Sequence, residues 1–346
     1  MSFISTRIAR SSLHQLGAQR QVLRTSQTAV RMLSKSAVVR DAEYEKHRIQ
    51  ANPPTMGTTK DMSQPMPKTD LTEPQSKPSQ SLPLFSMAGK VCVVTGGARG
   101  IGQMICRAFL EAECTQLAIL DLKKEDAEAT ARELVQAFEE QGRPKGSIRA
   151  IGLGVNIADE TSVQAGFKSV MEEFGQVDTV VNSAGIVENF TAEAYPTDRL
   201  KMLCDINIMG SFYVARESAK VMKPGSSIVM IGSMSGVVIN VPQPQTPYNF
   251  SKAAVIHMVK SLAVEWAPKG IRVNAVSPGY VLTNLTKVIL DKPENQALKD
   301  EWINRIPMGR MADPNDLKGP VLFLASDAGS YTTGSNMIVD GGYTCI

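Results

Sequence analysis

Four short runs rich in Val and Ile, each followed by polar or glycine punctuation and then a helical pattern, constrain this chain most. They are Lys90–Thr95 (KVCVVT), Gln116–Asp121 (QLAILD), Thr179–Asn182 and Ile228–Ile231. A strand that is apolar on both faces must be covered on both faces, and helices between strands supply the cover. The pattern predicts a single α/β domain from Met87 to Ile346, a doubly wound, Rossmann-type parallel sheet with helices on both faces. The segment after Pro247 repeats Val255, Met258, Val259, Leu262, Ala263 and Trp266 at helical spacing, so one long helix buries that stripe.

The first strand runs into Gly96-Gly97-Ala98-Arg99-Gly100-Ile101-Gly102, with a helix expected from near Gln103. Glycine permits the tight turn and lets backbone N–H groups at a helix N-terminus approach a pyrophosphate. The spacing Gly-x-x-x-Gly-x-Gly is weak evidence alone. Its position after a strand and 19 residues before Asp121, at the end of the next strand, strengthens it. A carboxylate there accepts from ribose hydroxyls and repels a 2′-phosphate, which favours NAD. Leu122 brings no compensating charge, but the Arg99 guanidinium could pair with a 2′-phosphate, so NADP stays open.

Tyr248 and Lys252 stand four apart at the start of the long helix and project from one face. A neighbouring ammonium favours phenolate, so Lys252 is expected to lower the acidity constant of Tyr248 and ready it for proton exchange. Ser233, just beyond the Ile228–Ile231 strand, can hold the same substrate oxygen.

These residues resemble the short-chain dehydrogenase/reductase family. The resemblance runs from about Met87 to the end through TGGARGIG, Asp121, Asn182-Ser183-Ala184-Gly185, Asn207, Ser233, Tyr248-x-x-x-Lys252, Pro278-Gly279 and Val339-Asp340-Gly341-Gly342. It implies that Tyr248 is the general acid/base, that Lys252 tunes it and binds the nicotinamide ribose, and that Ser233 orients substrate. It further implies that Asn207 holds a proton-relay water and that Val281 and Thr283 meet the carboxamide. Asn156 and Ala184 fall on the cofactor side, and Asn182 is expected to be a structural and adenine-side residue. Three departures stand out: Ser183 replaces an Asn, Asn156 replaces an Asp, and Ser233 lies farther from Tyr248 than is usual, which makes Ser235 a competitor for the serine role.

Between Gly236 and Pro247, Asn240, Gln243 and Gln245 are expected to rim the site and bind substrate hydroxyls, or else to decorate an exposed loop. The strings around Tyr248, Tyr280 and the C-terminus look most like fungal D-arabinitol dehydrogenases and related ketose reductases. That likeness implies a pentitol, D-arabinitol foremost, interconverted with D-ribulose or D-xylulose. Asn284–Arg310 reads as a mobile lid or as a helical pair packed on the core. Similar family members form tetramers through the helices near Asn207 and Lys252, so a homotetramer or homodimer is expected. Two alternatives are an enzyme for hydrophobic acyl or steroid ketones and a non-catalytic dinucleotide sensor. A sensor has no use for the Asn207, Ser233, Tyr248 and Lys252 set.

Charge separates the N-terminus from the remainder. Of 37 Lys and Arg against 34 Asp and Glu, seven basic residues (Arg7, Arg10, Arg20, Arg24, Arg31, Lys35, Arg40) lie in the first 40 positions with no acid. The rest is slightly acidic, which argues against a nucleic-acid partner. Arg-rich, Ser-rich, acid-free N-termini read as organelle transit peptides, and Arg20, Arg24 and Arg31 share one helical face. Residues 1–45 are therefore expected to direct the chain to the mitochondrial matrix, with a cytoplasmic location as the alternative. Residues 46–86, holding Pro53, Pro54, Pro65, Pro67, Pro74, Pro78 and Pro83 among polar residues, read as a disordered linker. No apolar run reaches membrane-spanning length. The scattered five Cys and three His lack metal-ligand spacing, so no metal is expected.

Overall fold

The computed structural model describes residues 80–346, apart from 284, 285, 288, 289 and 291. Residues 1–45, expected to direct import, and most of the expected linker at residues 46–86 lie outside the described residues. The chain enters through a 3₁₀ turn at Leu82–Phe85, and Met87 is already buried.

Seven parallel strands follow: β1 (Val91–Thr95), β2 (Gln116–Asp121), β3 (Arg149–Gly154), β4 (Thr179–Asn182), β5 (Ser227–Ile231), β6 (Arg272–Pro278) and β7 (Asn336–Val339). Their order is β3-β2-β1-β4-β5-β6-β7. The helices are α1 (Gly100–Glu111), α2 (Lys124–Glu140), α3 (Glu160–Phe174), α4 (Thr197–Cys204), α5 (Ser211–Val221), α6 (Thr246–Trp266), α7 (Gln296–Asn304) and α8 (Lys318–Ala325). A π-helical stretch, Asp205–Gly210, joins α4 to α5.

The expected doubly wound sheet is present. Cys92 and Val94 of β1 and Val229 and Ile231 of β5 face one core, shared with α1, α2 and α8. Val93 faces a second core with α3 and α5, and Ile228 and Met230 face a third with α5 and α6. Alternate side chains of each strand thus serve opposite layers, as the pleat requires. On α6 the anticipated stripe is buried at Val255, Val259, Leu262, Ala263 and Trp266, with Met258 partly buried beside it.

One reading needs correction, and three strands were not anticipated. Helix α1 begins at Gly100 rather than near Gln103, so its first turn lies within the glycine motif. Strands β3, β6 and β7 lack the uniform apolar signature: β3 carries Gly152 and Gly154, β6 carries Asn274 and Ser277, and β7 is a four-residue edge strand.

The winding reverses between β1 and β4. Crossovers leave this point in opposite directions, opening a crevice at the carboxyl ends of the strands. The flank of that crevice depends on how closely β3 meets α2. A Cβ on Gly152 would lie 2.2 Å from the Glu128 backbone nitrogen. Neither backbone can yield without shifting an element, so Gly152→Ala should lower stability by about 1 to 3 kcal/mol. Thermal unfolding checks this; an unchanged midpoint would show that the contact is loose.

Candidate active site

A cleft of about 640 Å³ opens along the carboxyl edge of the sheet. Of the residues singled out from sequence, Gly96, Arg99, Ile101, Gly102, Asp121, Asn156, Ala184, Ser233, Asn240, Gln243, Gln245, Tyr248, Lys252, Val281 and Thr283 all line it.

One end of the cleft fits a dinucleotide. Gly96 has φ +63°, and a Cβ there would lie 2.8 Å from Cα of Ala184; a Cβ on Gly102 would lie 2.1 Å from the Gly96 carbonyl oxygen. The turn and the helix can meet this closely only as glycines. The N-cap residue of α1, Arg99, contributes no side-chain cap. The first N–H groups of α1 therefore face the cleft with the positive end of the helix dipole behind them. The Asp121 carboxylate accepts from the backbone N–H of Ala98 at 3.0 Å and of Leu122 at 2.8 Å. That holds it at the end of β2 with lone pairs left for ribose hydroxyls. Arg99 is exposed at the mouth.

Three cofactor-side expectations change in detail. Asn182 is absent from the cleft wall. It accepts from Thr95 Oγ1 at 2.6 Å and donates to Ser211 Oγ at 2.9 Å, tying β1, β4 and α5 together in the interior. Gly100 lines a neighbouring cavity. Asn156 lines the cleft, but its Oδ1 already accepts from the Ala158 N–H at 3.1 Å, so only its second lone pair and its amide hydrogens face a ligand.

The reactive set gathers at the other end. Lys252 Nζ donates to the Ile231 carbonyl at 2.9 Å, pinning α6 to the end of β5. Its ammonium lies 5.8 Å from the Tyr248 ring centroid, and Tyr248 is hydrogen-bonded with Ser233. Ser235, the competitor, is occupied: its hydroxyl donates to Asn240 Oδ1 and receives bonds from Ser233 Oγ at 3.0 Å and Gln245 Nε2 at 3.1 Å. Asn207 lies behind the cleft wall, in the π-helical stretch, a device that recurs at functional sites. Its side chain accepts from the Ile186 N–H and donates to the Ile186 carbonyl, both at 2.9 Å, and donates to Ser251 Oγ at 3.0 Å. A Cβ on Gly185 would sit 3.2 Å from Asn207 Oδ1 and 3.5 Å from Lys252 Nζ, which places the two side chains on one flank of that glycine.

The expected lowering of the phenol acidity constant by Lys252 is not what the protein's own groups produce. Burial pushes the Tyr248 phenol up, with only the Ser233 hydrogen bond pulling down. Burial also brings the Lys252 ammonium down to about 8. Desolvation sets both directions because the charged form of each group loses water.

The loop amides do not simply rim the opening. Asn240 and Gln245 are buried, and Gln245 Nε2 donates to Asn240 Oδ1 at 3.2 Å and to Asn249 Oδ1 at 2.9 Å. Gln243 bridges two side chains that sequence reasoning did not place at the site, Tyr280 and Trp302. Tyr280 stood in the quoted Pro-Gly-Tyr string and Trp302 in the proposed lid; neither carried a signal of direction. Described residues of the lid pack by Leu290, Leu298, Trp302, Ile303 and Ile306 into a cluster with Met234, Met311 and Tyr343, which favours the packed reading of this segment.

A family model described as Enoyl-(Acyl carrier protein) reductase matches residues 96–344. The chain is 43% identical over 272 residues to a D-arabinitol 2-dehydrogenase (ribulose-forming) of Candida tropicalis, covering 76% of this chain and 95% of the relative. It is 38% identical over 269 residues to an NADH-dependent L-xylulose reductase of Ambrosiozyma monospora, covering 76% and 98%. A solved gluconate 5-dehydrogenase from Burkholderia cenocepacia, in complex with NADP and tartrate, superposes with a TM-score of 0.68 at 28% identity over 77% of this chain and 100% of the other. The glycine turn, Asp121 and the Ser233, Tyr248 and Lys252 group lie inside the matched span, and with the seven-stranded sheet they place the chain in the short-chain dehydrogenase/reductase family of oxidoreductases.

Proposed function

We propose that the protein interconverts D-arabinitol and D-ribulose, oxidising the hydroxyl at C2, with NAD preferred over NADP. The observation that carries this reading is the convergence of Ser233, Tyr248 and Lys252 in a cleft continuous with the dinucleotide cradle. The pentitol is supported by the ribulose-forming relative, of which 95% is covered. Asn189, Asn240, Gln243, Gln245 and Tyr280 at the substrate end suit a polyhydroxylated chain better than an acyl chain or a steroid.

A nicotinamide bound beside Val281 and Thr283 supplies the acceptor for the hydride leaving C2. The chain's own residues do the remainder. Ser233 holds the C2 oxygen, Tyr248 takes its proton as the C–H bond breaks, and Lys252 steadies the phenolate from the Ile231 carbonyl. Asn207 keeps the Ile186 backbone in place and, on the Lys252 side of Gly185, borders the route by which the proton passes to water. In the reverse direction Tyr248 returns the proton to the ketose.

Asp121 supports NAD because its fixed carboxylate repels a 2′-phosphate. Arg99 leaves some NADP use. Residues 1–45 direct import into mitochondria on this reading, and copies associate through α5 and α6, the latter exposing Phe250 and Val264.

Four outcomes are expected. Pure protein given NAD and a panel of polyols should reduce the nicotinamide fastest with D-arabinitol, as read by absorbance. Tyr248→Phe should lower kcat by about a thousandfold or more while dinucleotide affinity, from fluorescence titration, stays near wild type; retained turnover would overturn the assignment. Asp121→Ser should move the kcat/KM ratio at least about tenfold toward NADP; an unmoved ratio removes Asp121 from the selectivity argument. A reporter fused to residues 1–45 should enter mitochondria, and diffuse cytosolic signal would refute import.

A further inference from the structure

Helix α7 buries none of its residues fully. Leu298, Trp302 and Ile303 are only partly buried, against a satellite cluster separate from the sheet cores. A helix so lightly packed needs other restraints to hold its orientation. Trp302 provides them. Its indole stacks on the Tyr280 ring with centroids 4.2 Å apart and planes inclined by 10°. Its Nε1–H donates to Gln243 Oε1 at 3.1 Å.

An indole N–H can only donate, so the Gln243 amide oxygen must face Trp302 and the NH₂ must face away. That NH₂ donates to the Tyr280 hydroxyl at 2.8 Å. One amide therefore braces both members of the stacked pair. Asn240 Nδ2 donates to the same hydroxyl at 3.3 Å, and Asn240 in turn receives the Ser235 hydroxyl, which receives that of Ser233. The aromatic pair is thus joined by hydrogen bonds to the serine that holds substrate. Gln243, Tyr280 and Trp302 all line the cleft.

We propose that the Tyr280–Trp302 pair is the platform against which the carbon chain of the polyol lies, and that Gln243 is the positioning residue that keeps this platform in place. The proposal rests on the polyol reading above. The C–H edges of a polyol offer apolar surface to an aromatic ring while its hydroxyls point to the amides and to Ser233. Gln243 touches the wall rather than the reacting atoms, so its removal weakens substrate binding and leaves the hydride step intact.

Two variants of the full chain test this. Gln243→Leu removes both bonds at similar size; Trp302→Phe keeps a smaller aromatic ring to face Tyr280 and removes the N–H donor. Each should raise KM for D-arabinitol about tenfold, with kcat within about twofold of wild type and KM for NAD unmoved. Trp302 and Trp266 are the two tryptophans, and Trp266 is buried in a core, so Trp302→Phe gives the Trp266 background. Against it, the emission of Trp302 should shift to the red in Gln243→Leu as the ring leaves Tyr280 for water. Unchanged KM and emission in Gln243→Leu would overturn the proposal. So would a parallel loss of kcat, of affinity for both substrates and of thermal midpoint, which marks a merely structural role. If Gln243→Leu does not fold, the KM and kcat of Trp302→Phe decide. If the wild type oxidises no pentitol, the polyol reading alone falls, and the emission shift still decides whether Gln243 holds Trp302.

Discussion

The contact on which the site depends is the Lys252 ammonium against the Ile231 carbonyl. It fastens the first turns of α6 to the end of β5, and both Tyr248 and Ser233 take their places from those two elements. The ammonium is buried, and among the described residues this carbonyl is its one hydrogen-bond acceptor. An ion held in this way costs desolvation energy that a purely structural residue would not require, and the fall of its pKa to about 8 records that cost.

The same burial works on Tyr248 in the opposite sense. Removing water disfavours phenolate and disfavours ammonium, so the phenol rises while the ammonium falls and two groups of ordinarily similar acidity are driven apart.

Around this pair the molecule divides its tasks by stiffness. The cofactor end is built from backbone contacts no longer than the missing Cβ atoms of Gly96 and Gly102 allow, and from a buried Thr95–Asn182–Ser211 chain across two strands and a helix. The substrate end is built from side chains on a loop and a lightly buried helix, joined through amides and phenols. Chemistry common to a dehydrogenase family needs the rigid part; the choice of substrate resides in the adjustable part.

The sequence alone determined the winding of the sheet, the glycine cradle, Asp121 and the Tyr248–Lys252 spacing. Each is a local pattern: near-continuous apolar strand runs, a turn that tolerates only glycine, two side chains four apart on one helix. Tertiary structure decided the rest. Strands β3, β6 and β7 owe their place to neighbours rather than to apolar runs. Asn182 turned inward to cross-link strands, and Asn240 and Gln245, while lining the cleft, bond to Ser235, Asn249 and each other. Gln243 met Tyr280 and Trp302 across 37 and 59 residues of sequence. A hydrogen bond over such distances leaves no periodic trace in the chain, and the acidity of a phenol depends on how much water the finished fold removes, which no spacing of residues can state.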